Sequence, residues 1–343
     1  MTKKWSSRLT FFAFVVLMVG LGSNDSLRGI FSTIFQEHFS LTTTQLGLIV
    51  TASYIGNLVF LLVGGNLSTR FSKKRVLQVL ILIWMAALAL FAFTSNYTVL
   101  LIGMALALGS STLLNTTMNL ITPLLFATAP GFFVNFLFFT QEIGTSGSQY
   151  ILGSHADGFA FWQHTNLVLL ILGAVAFVLL LFCNVPEEAA APADAPAQKG
   201  GYDWRIIVPY VLVFGFYFIA EHGVMNWMVA YGVDGLGLPQ ASAAKYLSVF
   251  FGGMMIGRLC LSPLVDKLGA LKSLAAFGGV SCVLYLIGSL GGAVTMPIWA
   301  ISGLSFSILY PTLVMSIRLY FPAQQVSGAA GTILSIASLA DIL

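Results

Sequence analysis

Charge is what this chain has least of. Asp, Glu, Lys and Arg together make up 8% of its 343 residues, and 58% are hydrophobic, whereas an average soluble domain is about 25% charged. A soluble fold of this length cannot hide that much apolar surface, so lipid is the solvent to reason with. Cysteine is also scarce: Cys183, Cys260 and Cys282 fall inside or at the end of apolar blocks with no metal-ligand spacing among them, and they read as small packed hydrophobes. The patterns G-x-S-x-G, H-E-x-x-H and G-x-x-x-x-G-K-[ST] are absent, which removes the machinery of a membrane hydrolase, a zinc protease or an ATP-driven pump. The chain therefore reads as no enzyme, with no cofactor and no metal. A net charge of +3 without a basic stripe interleaved with aromatics also argues against nucleic acid as a partner.

What the chain does have is long apolar blocks, each near the roughly 20 residues needed to cross a bilayer core. Eleven candidate spans follow, at about 9–36, 43–66, 75–94, 97–120, 131–153, 165–184, 205–231, 241–263, 273–291, 297–319 and 324–343. The first is a retained helix, not a cleaved leader, because Asn24, Asp25 and Arg28 interrupt it and no small-residue cleavage site follows. Residues 185–204, rich in Pro, Ala, Gly and acid, read as a flexible cytoplasmic linker. The expected organisation is a six-helix half over 1–184, that linker, and an incomplete five-helix half over 205–343. Lys3, Lys4, Arg8, Arg70, Lys73, Lys74, Arg75, Lys199, Arg205, Lys267, Lys272 and Arg318 flank one face and only Lys245 the other. The excess of basic residues on one side places the N-terminus in the cytoplasm, with the chain in the plasma (inner) membrane.

An internal repeat supports the division. At an offset of 197, Gly65-Asn-Leu-Ser-Thr-Arg-Phe-Ser aligns with Ser262-Pro-Leu-Val-Asp-Lys-Leu-Gly, and Gly56 falls on Gly253. The segment GNLSTRFSKKR at 65–75 resembles the loop between helices two and three of the major facilitator superfamily, and LVDKLG at 264–269 the equivalent loop of the other half. Asn24-Asp25-x-Leu27, QLGLIVTASYIGN at 45–57, Glu221 with Asn226-Trp227, and ILYPT at 308–312 resemble the fucose permease branch of sugar–proton symporters. The resemblance implies an all-α bundle of two related halves with about eleven transmembrane helices, truncated before a twelfth. It implies gating loops built from Gly65, Arg70, Lys73 and Arg75 and from Asp266, Lys267 and Gly269. The first copy departs from the family pattern at Thr69 and Ser72, and the branch's fourth-helix carboxylate falls at Asn115.

An ionisable group inside a span costs roughly 2.5–3.5 kcal/mol on insertion scales, so the placement of such groups carries information. Asp25 and Arg28 lie in span one, Glu142 in five, Glu221 and His222 in seven, Arg258 in eight and Asp341 in eleven, while spans three, six and nine have none. The resemblance makes those three the outer helices, leaving the charged spans around a central cavity. Asp25 is the first candidate for proton coupling, the alternative being a structural pair with Arg28 one turn on. Glu142 is the second, the alternative being an ion pair with Arg28 or Arg258. Asn24, Asn57, Asn115, Asn119, Gln141, Asn226 and Tyr310 could supply donors and acceptors to a solute, or join helices by interhelical hydrogen bonds. Glu221 and Trp227 complete the candidate binding set, Trp227 as a stacking face for a sugar or as part of the interfacial belt. His222 reads as a packed partner of Glu221.

The expected function is secondary transport of a small solute, a sugar or related polyol, by proton symport with alternating access, by a monomer in the bilayer. The alternatives left open are proton-driven efflux of a drug or metabolite, and a non-transporting sensor or inert fragment.

Overall fold

A computed structural model describes residues 3–126, 130–186, 203–321 and 323–341. The helices of the first half are α1 (Lys3–Ile30), α2 (Ser32–His38), α3 (Thr43–Arg70), α4 (Lys73–Phe93), α5 (Tyr97–Leu125), α6 (Pro130–Ile151) and α7 (Phe159–Phe182). Those of the second half are α8 (Trp204–Ala230), α9 (Gln240–Cys260), α10 (Ser262–Leu268), α11 (Ala270–Leu290), α12 (Met296–Phe306), α13 (Leu309–Ser316) and α14 (Ala323–Ala337). No strand occurs among the described residues, as lipid requires, since a helix satisfies its backbone groups within itself. The linker expected at 185–204 lies outside the described residues over 187–202.

Eight of these helical segments are long and apolar enough to cross a membrane. Three of the eleven expected spans are not among the eight: 131–153 and 241–263 form the long helices α6 and α9, and 324–343 yields only the 15-residue α14 with a shorter apolar stretch, Ala329–Ala340. Polar residues lower the hydropathy of α6 and α9, with Gln141, Glu142 and Gln149 on α6 and Lys245 and Arg258 on α9. Span one bends at Phe31 between α1 and α2. Span ten is broken at Ser307 and Ile308 between α12 and α13, where Pro311 cannot donate to the preceding turn. That break lies beside Tyr310.

The repeat governs the packing. Helices α3 and α9 begin 197 residues apart, and α4 and α11 both begin and end 197 apart. Helix α3 packs on α5, and its counterpart α9 packs on α12. A Cβ on Gly56 would collide with the Ala105 carbonyl oxygen, and one on Gly253 would meet the Leu304 nitrogen at 3.1 Å. Both aligned glycines are therefore points of close helix approach. One apolar core runs through residues 13–185, including the buried Trp84 and Trp162, and two smaller cores lie within 207–337. In the first half α7 closes the bundle against α1 and α4. The corresponding place in the second half, beside α8 and α11, is a cavity of about 770 Å³ lined mostly by apolar side chains, among them Val213, Phe216, Leu274 and Leu309.

Candidate functional site

The polar residues singled out by the sequence divide into two groups joined across the halves. In the first, Asp25 Oδ2 accepts from Ser111 Oγ of α5 at 3.2 Å, and Asp25 Oδ1 is buried without a hydrogen-bond partner. Arg28, 5% exposed, does not form the ion pair with Asp25 that was the alternative to a proton-coupling role. Its Nε donates across the interface to Asn226 Oδ1 of α8 at 3.3 Å, and its guanidinium carbon lies 5.4 Å from the ring centroid of Tyr54. Asn226 Nδ2 donates to Tyr54 Oη at 3.2 Å and to the His222 carbonyl at 2.8 Å. Arg28 and His222 both act on Asp25 through their charge. The His222 ring lies between Tyr54, 5.3 Å away, and Phe218, stacked at 5.6 Å.

The second group is an ion pair. Arg258 Nη1 of α9 donates to Glu142 Oε1 of α6 at 2.7 Å, leaving Glu142 Oε2 buried without a partner. The alternative pairing of Glu142 with Arg28 is not formed. Glu221 is half-buried nearby and acts electrostatically on Glu142, Arg258, Tyr217 and Tyr310. Tyr310 packs edge to face on Phe214 at 5.9 Å and lies 5.8 Å from the Tyr217 ring, whose buried hydroxyl has no hydrogen-bond partner.

The remaining amides go elsewhere. Asn115 Nδ2 donates to Gln141 Oε1 at 2.7 Å and Asn119 Nδ2 to Asn115 Oδ1 at 2.6 Å, a chain within the first half whose last oxygen, Asn119 Oδ1, is buried and unpartnered. Asn57 Oδ1 is likewise buried without a partner. Asn24 stands apart from both groups: its Oδ1 accepts from the fully buried Trp84 Nε1 of α4 at 2.6 Å, so it joins helices inside the first half. Trp227 packs against the core of the first half and therefore contributes to the interface between halves.

Of the loop residues, Gly65, Arg70 and Asp266 lie outside the residues whose side chains are described. Lys73 is buried at the start of α4, and the exposed Arg75 donates its backbone N–H to the Ser72 hydroxyl that caps that helix. Neighbouring Lys74, absent from the expected set, donates from Nζ to the Leu181 and Cys183 carbonyls at 2.9 and 2.7 Å. A cation at a helix C-terminus is favoured by the peptide dipoles, and it fixes α4 to the end of α7. In the second loop α10 ends at Gly269 with φ +81°, a left-handed conformation suited to glycine, and Lys267 is exposed.

Among the described residues, the hydrogen bonds that cross between halves cluster toward one end of the bundle, where α1 finishes and α9 begins. Gln240 Nε2 donates to the Ile30 carbonyl at 2.7 Å and Thr33 Oγ1 to Gln240 Oε1 at 3.0 Å. Ser146 and Ser248 donate to each other's carbonyls at 3.0 and 2.9 Å. A Cβ on Gly29 would collide with the Met225 carbonyl oxygen. By helix position, Glu142–Arg258 is the crossing bond farthest from that end. No group of three or more potential metal-ligating side chains occurs among the described residues.

The profile described as "Major Facilitator Superfamily" matches residues 10–343. The chain is 24% identical over 333 residues to the L-fucose-proton symporter of Escherichia coli (strain K12), covering 84% of this chain and 75% of that one. It is 24% identical over 297 residues to the cis,cis-muconate transport protein of Acinetobacter baylyi, covering 80% and 70%. Among solved structures, a D-xylose-proton symporter superposes with a TM-score of 0.76 at 16% identity, covering 97% of this chain and 88% of that one.

Proposed function

The chain belongs to the major facilitator superfamily, a family of membrane transporters, and from that membership we propose that it takes up a sugar or related polyol by proton symport, with Asp25 as the proton site. The observation that carries the reading is the unpartnered, buried Oδ1 of Asp25. A carboxylate oxygen with no donor is open to a proton, and Arg28, which would otherwise hold it ionised by contact, is drawn to Asn226 and Tyr54 instead. The names of the fucose and xylose relatives support a sugar as solute. The amides of Asn226 and Asn57 and the hydroxyls of Tyr54 and Tyr310 supply the donors and acceptors a polyol needs.

The distribution of lysine and arginine supports a cytoplasmic N-terminus. With that orientation, the ties near Ile30, Gln240 and Ser146 lie on the outer side, and the conformation is the inward-facing one of an alternating-access cycle. The halves 1–184 and 205–343 are then the bodies that rock about the midplane, with Glu142–Arg258 and the Arg28–Asn226 contact between them.

Uptake of a panel of labelled sugars into right-side-out vesicles tests this. Accumulation that a protonophore collapses, and that Asp25→Asn loses while still inserting, is the expected result. Undiminished proton-driven uptake by Asp25→Asn removes Asp25 from the mechanism, and solute movement only out of the cell equivalent removes symport.

A further inference from the structure

We propose that Arg28 is a fork for a carboxylate, so that the solute taken with each proton is a sugar acid; this rests on the reading of Asp25 as the proton site of a sugar transporter. The two buried arginines differ in their partners. Arg258 has the Glu142 carboxylate at 2.7 Å. Arg28 is more deeply buried, and both of its contacts are neutral: the Asn226 amide oxygen on Nε and the face of Tyr54. Among the described residues no carboxylate lies within ion-pairing distance of it. Of its five N–H donors, the structure spends one, and the terminal nitrogens remain as the planar pair that binds a carboxylate through two parallel hydrogen bonds. A neutral hydroxyl would engage that pair one bond at a time.

Charge counting then links anion and proton. While Asp25 is ionised, it and Arg28 together are neutral, and an arriving carboxylate would place an extra negative charge in a dry, low-dielectric region. Once Asp25 takes a proton on its open Oδ1, Arg28 has lost its only nearby counter-charge on α1, and a carboxylate on the fork restores neutrality. The proton stays on Asp25 through the crossing and leaves on the other side, after which Arg28 regains Asp25 and the anion is released. The other groups facing Asp25 are the Ser111 hydroxyl from α5 and His222 from α8. Tyr54 from α3 faces Arg28, Glu142 of α6 is held by Arg258, and His164 of α7 is exposed. One proton moving with one carboxylate carries no net charge. A neutral sugar moving with a proton carries one positive charge, so the two solutes separate by how they respond to voltage.

The full chain in liposomes is tested with labelled glucuronate and labelled glucose, driven separately by a pH gradient and by a potassium diffusion potential. The expected result is glucuronate uptake driven by the pH gradient and indifferent to the potential, with excess glucose failing to compete. Arg28→Gln should weaken glucuronate competition about 100-fold, the size expected for truncating one member of a buried, hydrogen-bonded charge pair, with partial recovery in Arg28→Lys. Should these variants fail to fold, the native protein in detergent still decides: glucuronate should raise its Tm, and more so in mildly acidic than in alkaline buffer, because binding needs Asp25 protonated. Potential-driven uptake of glucose with no transport, competition or Tm shift from glucuronate overturns the carboxylate fork and leaves the proton–sugar reading standing. No uptake of either solute under a pH gradient overturns both.

Discussion

Replacing Glu142 by Gln removes one charge from a pair that bridges the two halves, and the size of the effect follows from its surroundings. The Arg258 and Glu142 side chains are 23% and 10% exposed, with Nη1 and Oε1 2.7 Å apart. Fully exposed pairs contribute about 0.2–1 kcal/mol, and removing one partner of a fully buried pair costs about 3–5 kcal/mol. This partly sheltered pair belongs between them, at about 2 kcal/mol. Glu142 and Arg258 lie on α6 and α9, on opposite sides of the interface, so the loss falls on the present conformation and not on either half. At tenfold per about 1.4 kcal/mol, the equilibrium should move about 30-fold toward the conformation in which the halves part at the Ile30 end. Spin labels at the exposed positions Thr44 of α3 and Lys245 of α9 should then report a second, longer distance. The doubly exchanged protein, Glu142→Arg with Arg258→Glu, should restore the original distribution. Strictly additive effects of Glu142→Gln and Arg258→Gln, with a coupling below about 0.3 kcal/mol, would refute the pair as a tie between halves.

Gly29→Ala should act in the same direction by another route. Its Cβ would collide with the Met225 carbonyl oxygen, so the halves cannot close at that point, and the same label pair should show the longer distance with little loss of Tm. Trp84→Phe should do the reverse: the buried Asn24 Oδ1 loses its only donor, a cost of about 1–3 kcal/mol read as a lower Tm. Transport per folded molecule should stay unchanged, because the contact lies within one half.

The helices and their doubling were legible in the sequence because lipid leaves so few solutions. Apolar blocks of membrane length had to be helices, and an offset of 197 taken from a short loop reappears in the first residues of α3 and α9 and in both ends of α4 and α11. On α6 and α9, which the apolar blocks at 131–153 and 241–263 do mark, the apolar signal is weaker for an instructive reason. Several of their polar residues reach across to the other half: Glu142 to Arg258 and Ser146 to Ser248. The property that lowers the apolar signal is the property that makes them interface helices.

Partners were less legible than positions. An ionisable residue within a span declares itself by its cost, and Asp25, Arg28, Glu142, Glu221 and Arg258 were all visible in that way. Sequence spacing, however, reveals only neighbours on the same helix, three or four residues away, and so it offers Asp25 as the counter-ion of Arg28. A contact between helices depends on how each is rotated, which no short spacing encodes. Rotation turns Asn24 toward Trp84 and away from the interface, and it brings Asn226 and Tyr54 to Arg28 from 198 residues along the chain and from a neighbouring helix. Because Arg28 takes neutral partners, two adjacent groups on α1 are left unsatisfied at once: a carboxylate oxygen without a donor and a guanidinium without an anion. A structural pair would have cancelled both. On the function proposed above, keeping them unpaired one helical turn apart on α1 would leave one site for a proton and another for a solute, each charge governing whether the other is filled.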